Sequence, residues 1–166
     1  MTSPMQADSA ALQRLQAHFD GMPPVAAMQV GITGWDGECL RLSAPLAAHV
    51  NDKGCAFGGS LVSLATLAAW GLVTLQVEAA GFDADVFVAA TEVRYRAPLF
   101  ADLHVEARLE EGAGWQDFID TLRTRGRAST WLVASLPLPE GGIATQARLR
   151  YAAILRTPVP APGQAD

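Results

Sequence analysis

Lysine is nearly missing from this chain: Lys53 is the single lysine among 166 residues. A P-loop needs a lysine followed by serine or threonine directly after its last glycine. Here the last glycine of the Gly-rich stretch, Gly59, is followed by Ser60-Leu61, so phosphate cradling of that kind is excluded. Cysteine is scarce as well. Cys39 and Cys55 supply neither a disulfide framework nor a zinc-ligand spacing, and no metal site is expected. Basic charge is outnumbered, with twelve Lys/Arg against seventeen Asp/Glu and a net charge of −5, which leaves no field to attract nucleic acid. The N-terminal stretch lacks both a basic n-region and a continuous apolar core. It is not a secretory signal, and the expected location is the cytoplasm. There is also no internal repeat and no alternation of strands with helices, which rules out a doubly wound sheet.

What the chain does have is apolar length. No charged residue falls between Gly54 and Val77. A membrane span needs ~20 such residues, but this one contains Ser60, Ser63, Thr66, Thr74 and Gln76, and its flanks carry Asp52, Glu78 and Asp83 rather than basic residues. The better reading is a helix over 60–78 buried on all sides in a globular core, with no membrane partner. Leu12, Leu15 and Phe19 share one face of a short N-terminal helix.

Elsewhere the hydrophobic period drops to two. Phe87, Ala89, Thr91, Val93 and Tyr95 fall on one strand face, opposite Glu92, Arg94 and Arg96. Leu103, Val105, Ala107 and Leu109 repeat the pattern, as do Ala147, Leu149, Tyr151 and Ala153. Such alternation marks antiparallel strands with one buried face. Asp36-Gly37 signals a hairpin between two further strands. Trp115, Phe118, Ile119 and Leu122 stand at helical spacing, and residues 126–137 form a strand too apolar for its faces to be assigned. The predicted organisation is residues 1–20 as an N-terminal helix, 21–157 as one domain and 158–166 as a loose proline-rich tail. One long apolar helix and about six antiparallel strands have an economical packing in which the curved sheet wraps the helix: an α+β hotdog fold. The all-round apolar helix further predicts a homodimer with sites between subunits.

Candidate functional residues gather where the loop meets the long helix. Gly58-Gly59 open the helix, where free N–H groups of Gly59 and Ser60 and the positive dipole end await a negative oxygen. The glycines serve equally well for tight helix–sheet packing. Asn51 offers either a side-chain amide for the same oxygen or an ordinary Asx-turn. Ser60, Ser63, Thr66, Trp70 and Thr74 form one weakly polar stripe, a wall for a substrate channel or hydroxyls satisfied by i−4 carbonyls. Cys55 has His49 nearby in sequence but no third orienting residue, and reads as a packing residue. His18 and His104 read as surface residues. Arg123, Arg125 and Arg127 alternate as if on one strand face, and with Arg94 and Arg96 make a solvated face or a landing site for an acidic or phosphorylated partner.

The pieces Asn51-Asp52-Lys53-Gly54, Phe57-x-Gly59-Ser60-Leu61, Ala65-Thr66-Leu67 and Trp70-Gly71, with the Val93–Leu99 strand ending in Pro98, resemble the central motif of hotdog-fold thioester enzymes. The match is nearest to the thioesterase-like group of the YiiD C-terminal domain, with which malonyl-ACP decarboxylation (the MadA–MadB group) is associated. The resemblance implies acyl thioesters as substrates, carried on the phosphopantetheine of acyl carrier protein or coenzyme A, with no separate cofactor. It implies Asn51, Gly59 and Ser60 as catalytic and Phe57, Gly58, Ser63, Thr66, Trp70, Arg94 and Arg96 as substrate-binding. The departures matter. Many such thioesterases carry a histidine before the glycine pair and a carboxylate along the helix, where this chain has Phe57 and Thr66. Glu92 falls on the other strand face, leaving Asp52 as the one loop carboxylate. The expectation is decarboxylation ahead of hydrolysis, with a non-catalytic acyl-carrier-binding module as the third reading.

Overall fold

The structure, a computed structural model, describes residues 4–156, so the expected tail at 158–166 lies outside the described residues. Helix α1 (Pro4–Gly21) is followed by a short α2 (Pro23–Ala26), which the sequence pattern does not announce. Strands β1 (Gly31–Trp35) and β2 (Cys39–Ala44) make the expected hairpin. At its turn the Asp36 carboxylate accepts the N–H groups of Glu38 and Cys39, and Gly37 takes a φ of 93°. The long helix α3 (Gly58–Ala79) comes next, then β3 (Ala84–Tyr95), β4 (Leu103–Leu109), α4 (Trp115–Arg125), β5 (Arg127–Pro137) and β6 (Ile143–Leu155).

The six strands form one antiparallel sheet in the order β1-β2-β4-β5-β6-β3. Helix α3 lies along its inner face, with Leu64, Ala65, Ala68, Ala69, Leu72 and Val73 fully buried against Leu40, Leu42, Leu103, Leu132, Ala147 and Leu149. The helix is long and apolar enough to cross a membrane by length and composition, but here it is the core that the sheet wraps. Leu15 and Phe19 of α1 close the core from the other side. Gly71 makes that closure tight: a Cβ there would meet Leu40 at 2.8 Å and Leu15 at 3.1 Å. Tyr151 of β6 bolts helix to sheet, its buried hydroxyl donating to the Thr66 carbonyl at 2.7 Å. Burial pushes that phenol's pKa up.

Two patterning expectations need correction. Arg123 and Arg125 are in the last turn of α4, which Gly126 ends in the left-handed conformation at φ 71°, and Arg127 begins β5. The three arginines therefore share no strand face. In β3 the pairing passes from Val88↔Tyr151 to Ala90↔Arg150, so Ala89 is a bulge. An extra residue flips the alternation: Thr91, Val93 and Tyr95 face inward as expected, while Phe87 points outward, opposite Ala152. The faces of β5, unassignable from sequence, resolve to Ala128, Thr130, Leu132, Ala134 and Leu136 inside.

Candidate active site

The start of α3 is an uncapped helix end. Phe57 occupies the N-cap position and has no side-chain acceptor to offer. The N–H groups of Ser60 and Leu61 both turn back to the Phe57 carbonyl, at 2.9 and 3.1 Å. Ser60 N–H is therefore not the oxyanion donor that the sequence suggests. The unpaired donors among the described residues of this turn are the N–H groups of Gly58 and Gly59. An aligned pair of free N–H groups at the positive end of a 22-residue helix is a place for a negative oxygen.

Side chains close over this turn from two directions. The Phe57 ring folds across Gly59 so closely that a Cβ there would lie 2.4 Å from it. Tyr95, from the inner face of β3, donates its hydroxyl to the Gly58 carbonyl at 3.1 Å and packs its ring near the Gly58 Cα. Both aromatics are more than half exposed, so the turn lies at the surface beneath two open aromatic rings. Tyr95 is a site residue that sequence reasoning placed on the inward face without assigning it a role.

Asn51 does make the Asx-turn. Its Oδ1 accepts the N–H groups of Lys53 at 2.8 Å and Cys55 at 3.2 Å. Fixing Oδ1 on the loop fixes the opposite end of the amide too. One Nδ2 proton approaches Cys55 Sγ at 3.2 Å, and the other has no partner among the described residues. The Asx-turn reading is thus the one the geometry shows, with both ends of the amide held by the loop. The loop itself is tied down by Ala56 N–H to Leu99 O at 2.8 Å and Phe57 N–H to His49 O at 2.7 Å.

His49 is the residue the sequence mentions and then sets aside. It is buried, at 4% exposure, between two partners. Nε2 lies 2.7 Å from the Met28 carbonyl and Nδ1 lies 2.8 Å from Ser60 Oγ. A carbonyl oxygen only accepts, so Nε2 carries the proton, and in the neutral ring Nδ1 is left to accept from the Ser60 hydroxyl. Nothing in the spacing of His49 and Ser60, eleven residues apart across a loop, announces this contact.

The remaining expected residues are less concentrated. Ser63 and Thr66 lie on the half-buried face of α3, and Thr66 Oγ1 bonds the Val62 carbonyl at 2.8 Å, its bland reading. Trp70 is about 18 Å along the helix from Gly58 at 1.5 Å per residue. It donates to the Val86 carbonyl and packs against Phe19 and His18, so it belongs to the far end and not to this turn. Arg94 and Arg96 flank Tyr95 in sequence but are exposed, Arg94 on the outer face of the sheet opposite Gln146 and Arg96 reaching Gln146 at 3.4 Å. Neither loop nor strand carboxylate is free: Asp52 pairs with Lys53 at 2.9 Å, and Glu92 faces outward to Arg148 at 3.5 Å.

Comparison with known proteins agrees with the fold. The family model described as "Putative thioesterase (yiiD_Cterm)" matches residues 12–153. Among solved structures, a protein of unknown function from Chlorobaculum tepidum is 26% identical, with 93% of this chain and 98% of that one covered and a TM-score of 0.81. The putative thioesterase from Shewanella oneidensis is 28% identical over 88% of this chain and 99% of its own, with a TM-score of 0.77. A Pseudomonas aeruginosa protein titled a probable thioesterase is 22% identical, covers 94% and 99%, and superposes with a TM-score of 0.72, a likeness of fold.

Proposed function

We propose, from the premise that this chain belongs to the putative thioesterase family of the YiiD C-terminal type, that it acts on acyl thioesters at the start of α3 and that its main reaction is decarboxylation of a malonyl thioester. The observation that carries this reading is the pair of N–H groups at Gly58 and Gly59, unpaired among the described residues, with the Asn51 amide on the adjoining loop and the nearby Asp52 and Glu92 carboxylates in ion pairs.

Decarboxylation breaks the bond between the α-carbon and the carboxylate. CO₂ leaves, the electron pair moves into the thioester carbonyl as an enolate, and the α-carbon then takes a proton from solvent. Donors aimed at the enolate oxygen stabilise that charge in the transition state, each worth about 2.7–4 kcal/mol in such sites. Phe57 and Tyr95 supply apolar surface against which a carboxylate is poorly solvated and departs more readily. The reaction needs neither metal nor cofactor, since the acyl group arrives on the phosphopantetheine of acyl carrier protein or coenzyme A. Arg94 and Arg96, exposed on either side of Tyr95, suit the phosphates or acidic surface of such a carrier. A cytoplasmic location and a homodimer go with this reading. A second reading, hydrolysis of simple acyl thioesters, is favoured by one observation, the Ser60–His49 contact.

Incubation with malonyl-ACP and malonyl-CoA, followed by mass spectrometry, tests the main reaction. The expected product is the acetyl thioester, formed faster from the carrier protein. Malonyl thioester recovered unchanged, or cleaved to free malonate, overturns it.

A further inference from the structure

We infer that Ser60 is a nucleophile and His49 its base, so that the same helix start transfers acyl groups from thioesters onto Ser60 Oγ. Nucleophilic catalysis by serine needs a base within hydrogen-bond reach and a third group that orients the base. Ser60 Oγ and His49 Nδ1 are 2.8 Å apart, and the Met28 carbonyl holds Nε2 at 2.7 Å. That carbonyl has no other hydrogen-bond partner among the described residues. It is presented by an unusual turn: Gln29, the residue after it, has a φ of 54° and is alone among the described non-glycine residues in taking a positive φ. Strained backbone of this kind persists where surrounding structure imposes it, often at functional sites.

The geometry of the pair is one-sided in a useful way. His49 is buried and its tautomer fixed, while Ser60 is half-buried in the first turn of α3, on the same turn as the free N–H groups of Gly58 and Gly59. A simple acyl thioester whose carbonyl oxygen sits on those donors presents its carbon to Ser60. Oγ attacks that carbon and its proton passes to His49 Nδ1. The tetrahedral intermediate collapses, the C–S bond breaks, and the departing thiolate takes the proton from Nδ1. An ester of Ser60 and a free thiol result. Water then attacks the ester, giving its proton to Nδ1, which returns it to Oγ as the carboxylic acid leaves. This step rests on the reading that the start of α3 is the thioester site, and it differs from decarboxylation in that the C–S bond breaks.

The test uses two probes on the intact protein. Acetyl-CoA and a fluorophosphonate are each incubated with wild type, Ser60→Ala and His49→Gln, and covalent mass is located by peptide mass spectrometry. The expected result is an adduct on the peptide carrying Ser60 with both probes, none in Ser60→Ala, and labelling at least a hundredfold slower in His49→Gln. Circular dichroism checks that each variant is folded; should His49→Gln unfold, loss of label in folded Ser60→Ala together with the mapped adduct decides the matter. A wild type that converts malonyl thioester but takes neither probe overturns the nucleophile and leaves the decarboxylase standing. Labelling of Ser60 by fluorophosphonate with every thioester inert supports the nucleophile and removes the thioester reading.

Discussion

At the scale of single residues, the site depends on which hydrogen bonds are already taken. Asn51 illustrates the point, because its Oδ1 is occupied by two loop N–H groups and its Nδ2 is thereby held beside Cys55 Sγ. Two substitutions separate its jobs. Asn51→Asp keeps the acceptor for Lys53 and Cys55 but replaces the donor by an oxygen, and Asn51→Ala removes both. Asn51→Asp should retain the melting temperature within a few degrees and lose about a hundredfold in turnover on malonyl thioester, the size expected for one oxyanion donor. Asn51→Ala should lose both turnover and some stability. Unchanged turnover in Asn51→Asp would leave the amide with the loop alone. Single-residue chemistry of this kind was only partly legible in the sequence. Asn51, Phe57, Gly58 and Gly59 lie within nine residues of one another, so their types and order make them candidates from the sequence alone. His49 and Tyr95 are not, because the loop from 50 to 57 folds His49 back onto Ser60 and β3 carries Tyr95 to Gly58, contacts set by tertiary packing.

At the scale of elements, the fold was legible wherever one period ran undisturbed. β4, β6 and the all-round apolar α3 followed their patterns, since a single inward face dictates every second or every third to fourth residue. The pattern failed where one residue interrupts the period. Ala89 bulges and sends Phe87 outward, and Gly126 stops α4 between arginines that look like a strand in sequence. The contact that joins helix to sheet is the Tyr151 hydroxyl on the Thr66 carbonyl, and it carries a pH signature. Burial raises the folded pKa of Tyr151 above its ordinary value of 10.0. The folded state then holds a proton that the unfolded chain releases, so this contribution is complete below pH 10 and declines as pH rises further. Wild type should lose stability above about pH 10 by up to about 1.4 kcal/mol per pH unit from this group. Tyr151→Phe should start about 1 kcal/mol less stable at neutral pH, for the lost hydrogen bond, and lack that share of the alkaline slope. Urea melts at pH 7 to 11 measure both, and parallel slopes in the two proteins would show that the phenol titrates elsewhere.

At the scale of the whole molecule, one side is left unfinished. The sheet ends in β3, a twelve-residue edge with neither proline nor lysine to blunt it, whereas the other edge, β1, is five residues long. The inner face of β3 is only partly covered: Val86 and Val93 pack against the core, but Val88 is 49% exposed and Tyr95 57%, although both face the side that holds the core. Phe57, at the helix start that Tyr95 packs on, is 58% exposed, and Ser63, Thr66 and Trp70 mark the half-buried stripe of α3. A second copy related by a two-fold axis, with its β3 antiparallel to this one, would cover these groups and the helix start at once. Such an interface would be self-complementary by symmetry, each β3 edge meeting an identical edge. Sedimentation equilibrium at micromolar concentration should therefore give twice the 17.5 kDa chain mass. Val88→Lys sets a charge on each of the two facing strands and should give the single-chain mass with the circular dichroism spectrum kept. Its turnover on malonyl thioester should fall in step with the loss of dimer, because the helix start at Gly58 and Gly59 then stays open to water. A wild type at single-chain mass, or a Val88→Lys protein that remains a full dimer, would place the interface elsewhere and leave β3 as a bare edge.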